Sequence, residues 1–86
     1  MNRKHKVRLH PHANDRLPER GATESEVIAT VLEGEQFVAK HGRTGFRRNF
    51  PLDAEWRGQI YGTKQIEAFA VDEDGWLVIT VIVKYF

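Results

Sequence analysis

His12, Arg16 and Arg20 recur at four-residue spacing, which on a helix places one imidazole and two guanidiniums along a single stripe. An imidazole titrates near pH 6.5 and so moves protons at working pH. A guanidinium offers paired donors that match phosphate oxygens. Other basic residues fall into two clusters: Arg3, Lys4, Lys6 and Arg8 at the start, then Lys40, Arg43, Arg47 and Arg48 in the middle. Each cluster is a candidate phosphate-binding patch, with an ordinary solvated face as the competing reading. Thr80 and Lys84 bring a hydroxyl and an ammonium into the apolar run that closes the chain, although Thr is also an ordinary strand former. His5 lies near the terminus, His10 and His12 flank Pro11, and His41 opens a basic turn. His10, His12, Asp15 and His41 come nearest to a metal-ligand set. There is no Cys, no Cys/His finger spacing and no His-Glu-x-x-His, so neither a metal nor a cofactor is expected. Nucleophile elbows, Gly-rich phosphate loops and dinucleotide fingerprints are missing as well.

The 86 residues have room for one modest core, and 1–86 reads as a single domain. Net charge is +1, unevenly spread. Residues 1–48 carry ten Lys/Arg against six Asp/Glu, and residues 49–86 carry three against six. Without cysteine there is no disulfide scaffold and no thiolate chemistry. The final apolar run is about half the ~20 residues needed to span a bilayer. The charged start has no apolar segment behind it, so no signal peptide is expected. A cytoplasmic protein follows as the expectation.

Residues 1–9 read as a basic lead-in, either mobile or a short edge strand around Val7 and Leu9. Pro11 suits a first helical position, and Ala13 and Leu17 would face the core. Pro18 should kink or end this helix near Leu17 and displace Arg20 from the stripe. Thr23-Glu-Ser-Glu26 is a capping box opening a second helix over 24–33, with Gly34 as its stop. Residues 35–40 read as a strand, 41–45 as a turn, 46–50 as a strand and 51–58 as a loop. Residues 59–71 form a long strand, bulged at Gly62, and 72–75 a tight connection into Trp76–Phe86. In that last run alternation puts Leu77, Ile79, Val81, Val83 and Tyr85 on an apolar face. The opposite face would carry Trp76, Val78, Thr80, Ile82, Lys84 and Phe86. The predicted fold class is α+β: two N-terminal helices on one face of a roughly four-stranded antiparallel sheet whose other face is partly open. Val27, Ile28, Val31 and Leu32 are expected to cover Leu77, Ile79, Val81 and Val83.

The order of these features resembles a family of small bacterial domains of unknown function. That family is placed in the superfamily of barnase, EndoU, the colicin ribonucleases and the RelE/ParE toxins (the BECR fold). The resemblance is carried by His12-Ala13, Arg16 and Arg20-Gly21, then by the capped helix ending in Gly34. It continues through Gly42-Arg43 with Arg47 and Arg48, and closes with the acidic turn running into Val78-Ile79-Thr80-Val81. It extends from about His10 to Phe86. What it implies is a metal-independent ribonuclease, or ribonuclease-like toxin of a toxin–antitoxin pair, acting on RNA by 2′-hydroxyl transesterification. An acidic antitoxin or immunity partner would go with it. The site residues it nominates are His12, Arg16 and Thr80 as catalytic, with Arg20, Arg43, Arg47 and Lys64 as phosphate-binding.

Such cleavage needs a base for the 2′-hydroxyl proton, an acid for the leaving 5′-oxygen, and cations or donors for the charged phosphate. His12 is the natural base or acid, Arg16, Arg43 and Arg47 are phosphate ligands, and Thr80 is a hydrogen-bonding positioner. Lys64 and Tyr85 could supply a proton or stabilise charge, but Tyr85 shares the apolar face with Val83 and reads as core. Arg48, between Phe46 and Phe50, reads as a stem laid over apolar neighbours. The alternative is a catalytically inactive protein-interaction or nucleic-acid-binding module of the same fold.

Overall fold

The computed structural model describes residues 6–86; Arg3 and Lys4 of the first basic cluster, and His5, lie outside the described residues. The elements run β1 (Val7–Leu9), α1 (Pro11–Arg20), α2 (Glu24–Glu33), β2 (Glu35–Val38), β3 (Thr44–Trp56), β4 (Gln59–Asp72) and β5 (Trp76–Tyr85). The class is α+β, with a correction to the sheet. It has five strands in the order β1-β5-β4-β3-β2 and is mixed rather than antiparallel. The fifth strand is the lead-in itself, where Val7, Arg8 and Leu9 pair in parallel with Trp76, Leu77 and Val78.

Two helix predictions meet different outcomes. α2 spans the predicted residues, and its capping box is complete: Thr23 Oγ1 accepts from the Glu26 N–H, and Glu26 accepts from the Thr23 N–H. α1, however, runs through Pro18 to Arg20. Pro18 removes one N–H, but the helix stops two residues later in a closed C-cap. Gly21, at φ 77°, donates to the Pro18 carbonyl (3.2 Å) and Ala22 donates to Leu17 (3.1 Å), a Schellman arrangement that makes good the last turn. Arg20 therefore stays on the stripe. Gly21 also answers to packing, since a methyl there would fall 2.2 Å from the Tyr85 hydroxyl and 2.7 Å from the Trp56 ring.

The segment 51–58 is not a loop. β3 continues to Trp56 and turns at Arg57-Gly58, both at positive φ, straight into β4. The irregularity assigned to Gly62 lies on the facing strand: Pro51 pairs with Thr63 and Ala54 with Tyr61, so Leu52 and Asp53 together oppose Gly62.

A second bulge decides the core. Phe69 pairs with Thr80, but Ala70 pairs with Val78, leaving Ile79 as the extra residue. One added residue reverses the alternation of everything before it. Trp76 and Val78 consequently join Val81 on the covered face, all three buried, whereas Leu77 and Ile79 are only half-buried. The core is Ala13 and Leu17 of α1, Ala22 between the helices, Val27 and Val31 of α2, and Phe46, Ile66, Ala68, Ala70, Trp76, Val78 and Val81 of the sheet. Phe46 meets Trp76 edge-on, with ring centroids 5.1 Å apart. Of the four α2 residues expected to form the stripe, Leu32 is instead exposed, and Thr30 is fully buried with its hydroxyl donating to the Glu26 carbonyl (2.8 Å).

Candidate functional site

β1 pairs with β5 only as far as Val78, so among the described residues no strand lies on that side of β5 from Ile79 onward. A free sheet margin exposes backbone groups that need partners, and α1 supplies them. The His10 N–H donates to the Val78 carbonyl (2.8 Å), and the chain then turns into α1. Farther along, the Arg20 guanidinium donates to the Val81 carbonyl, and Tyr85 Oη donates back to the Arg20 carbonyl (2.6 Å). With Ala13 and Leu17 committed to the core, the neighbouring stripe of His12, Arg16 and Arg20 comes to lie beside β5.

The helix start is fixed by His10, not His12. His10 Nδ1 accepts the His12 N–H (3.1 Å) as the N-cap, and the two rings stack with centroids 5.5 Å apart. His12 is therefore exposed at the helix tip, with its ring nitrogens not used for capping. The bulge at Ile79 brings Thr80 to the same place. His12, Arg16, Arg20, Ile79 and Thr80 line one groove of about 170 Å³ between α1 and β5. Thr80 also forms part of the wall of a larger cavity, about 590 Å³, on the open face of the sheet. Its other walls include Phe37, Phe69 and the β2–β3 turn that carries Lys40, His41 and Arg43.

Of the nominated residues, His12, Arg16, Arg20 and Thr80 thus meet in one groove, and Arg43 stands in the adjoining cavity. Arg47 and Lys64 are engaged elsewhere. Arg47 bridges Glu67 (2.7 Å) and Glu35 (3.1 Å), and its guanidinium lies 4.5 Å from the centre of the Phe37 ring. The hydrogen bond to Glu67 raises its pKa above the ordinary arginine value. Glu67 is the reason for this placement: its carboxylate is 8% exposed, and a buried charge needs a partner. Lys84 adds a longer contact to it at 3.6 Å. Lys64 is buried on the helix side, where it donates to the Gly21 carbonyl (2.9 Å) and pairs with Glu26 at 2.7 Å, clamping the turn between α1 and α2. Arg48 pairs with Glu33 (2.6 Å) and lies over Phe50. Among the described residues, Arg16 and Arg43 have no hydrogen-bonding or ionic side-chain partner. They are the guanidiniums available to an anion.

Tyr85 is a wedge. Its ring stacks on Trp56 with centroids 5.0 Å apart and fills the space against Gly21. Burial, reinforced by the nearby Glu26 carboxylate, pushes the phenol pKa above its ordinary 10.0, against a smaller opposing effect from Arg57. The folded state disfavours the phenolate, so this contribution to stability is present below about pH 10 and is lost as pH rises past it. Denaturant unfolding followed from pH 8 to 11 should show the decline, and Tyr85→Phe should make it shallower. An unchanged alkaline slope in Tyr85→Phe would rule this contribution out.

Sequence reasoning misses Phe37 and Phe69, which meet edge-on at 5.9 Å in the open-face cavity. The sequence puts Gly45 in the 41–45 turn; the structure sets it inside β3 opposite Phe37, where a strand glycine allows the close approach. No protein-family model matches the chain, and no match was found among curated proteins or solved structures.

Proposed function

We propose that the chain acts on RNA as a metal-independent ribonuclease of the barnase/RelE-like kind. The observation that carries this reading is the shared groove, where one imidazole, two guanidiniums and one hydroxyl surround a space of about 170 Å³. His12 takes the proton of the 2′-hydroxyl, or gives one to the leaving 5′-oxygen. The 2′-oxygen attacks phosphorus and the bond to the 5′-oxygen breaks, leaving a 2′,3′-cyclic phosphate and a 5′-hydroxyl. Arg16 holds the non-bridging oxygens through its guanidinium fork, and charge gathers on those oxygens in the transition state. Arg20 holds its place through the Val81 carbonyl and adds positive charge to one wall. Thr80 donates a hydrogen bond that positions the phosphate. With one imidazole in the groove among the described residues, the second proton is exchanged with water. In the resemblance that suggests this function, an acidic antitoxin would cover the same cations.

The second reading is a nucleic-acid-binding module that does not cut. It is favoured by that single acid–base group, since Tyr85 and Lys64 are both bonded away from the groove. Incubating the chain with end-labelled single-stranded RNA in excess chelator tests both. Products ending in cyclic phosphate support cleavage. Stable binding without products selects the second reading, and neither binding nor cleavage removes RNA as the ligand.

A further inference from the structure

The larger cavity has the chemistry of a base-binding site. Phe37 is held on its floor by Gly45, its direct cross-strand partner; a methyl at Gly45 would fall 2.3 Å from the ring. Phe69 pairs across the sheet with Gly45 on one side and Thr80 on the other, and sets its ring edge-on to Phe37. Two aromatic rings therefore sit in the open face at the point where Thr80 also belongs to the phosphate groove. The rim carries two cations, Lys40 and Arg43, beside His41, and the described residues lining the cavity include no carboxylate. The turn that presents them has positive φ at both His41 and Gly42, and the Arg43 N–H donates to the Lys40 carbonyl (3.2 Å). A backbone held this way keeps the rim in place. The volume of about 590 Å³ lies within the ~300–1,000 Å³ of small-ligand sites.

We infer that this cavity takes one unpaired nucleobase of an RNA strand, stacked against Phe69, while the adjoining phosphate lies in the groove of His12 and Arg16. The inference builds on the groove's being a phosphate site and adds the form of the substrate. A flat apolar body joined to an anion matches aromatic walls with a cationic rim. A base still paired in a duplex cannot turn into a recess, so the ligand is single-stranded. Thr80, common to both walls, sets the register between base and phosphate.

The test uses 2′-O-methyl RNA, which binds but cannot be cleaved through its 2′-oxygen, so affinity is read independently of catalysis. The strands are one unstructured oligonucleotide, its copies with single abasic positions, and its duplex. The proteins are wild type, Phe69→Ala and Ala39→Leu, the last intruding on the cavity without removing an aromatic wall. Removing one stacking partner should weaken single-strand binding by about 5- to 100-fold. Both variants and one abasic strand should show that loss with an unchanged salt slope, and the duplex should bind more weakly than the single strand. Arg43→Ala, in contrast, should flatten the slope by about one unit. If the variants and every abasic strand bind like wild type and intact strand, or the duplex binds equally well, the base site is overturned. Should wild type still cut unmodified RNA in that case, the groove reading survives alone. Failure of wild type to bind any strand overturns both.

Discussion

His12→Ala should slow metal-free RNA cleavage by about 10²- to 10⁴-fold, the usual contribution of a positioned acid–base group. Affinity for uncleavable RNA should change by less than about twofold, because what is lost is proton transfer in the transition state rather than ground-state binding. The fold should be indifferent to the change. The His12 ring is exposed, and beyond its stacking on His10 the residue's contribution to the helix start is a backbone N–H donated to His10, which alanine retains. Arg16→Ala should behave in the opposite way, weakening binding and reducing its salt dependence, since one fewer counterion is released. Single-turnover rates, filter-binding titrations at several salt concentrations and a thermal melt separate the cases. Wild-type cleavage by His12→Ala at equal protein concentration would end the catalytic assignment.

Val81→Ala should destabilise the fold by about 2–4 kcal/mol, through lost burial and the cavity left behind. Ile79→Ala should cost about 1 kcal/mol or less, although isoleucine is the larger residue. Val81 is fully buried under the helices, and Ile79 is the extra residue of the β5 bulge and only half-buried. On plain alternation the two would share a face and cost similar amounts. For a chain of this size each kcal/mol is worth roughly 4–8 °C in melting temperature, so the difference is easily read. Denaturant unfolding of both variants gives the comparison, and equal losses would contradict the bulged register.

Local features were legible from the residues alone. The α2 capping box is written in four consecutive residues, and its two hydrogen bonds close within one turn, so no tertiary contact is needed to specify it. Pro11 at a helix start, the His12/Arg16/Arg20 stripe and the acidic turn before the last strand are equally short-range. Pro18 misled because its local cost is real, but the C-cap at Gly21 comes before a longer helix could suffer from it. The parallel pairing of β1 was out of reach because three residues are too few to show a period, and their partner lies some 69 positions away.

The faces of β5 are the plainest case of what only the tertiary structure decided. Both sets of alternating side chains from Trp76 to Val83 are almost wholly apolar, so nothing in the residues distinguishes inside from outside. The bulge at Ile79 makes that choice, because helix packing and the pairing with β4 must be satisfied together. The same bulge seats Thr80 between the groove and the open-face cavity. Which cations remain available was likewise beyond the sequence. Arg43 and Arg47 are four residues apart and chemically identical, yet Glu67, twenty residues farther along and buried, draws in Arg47. The sequence by itself determined the residue types that can handle a phosphate and the helix that carries three of them. Burial and strand register decided which of those residues face one another, since both are set by the whole packed chain.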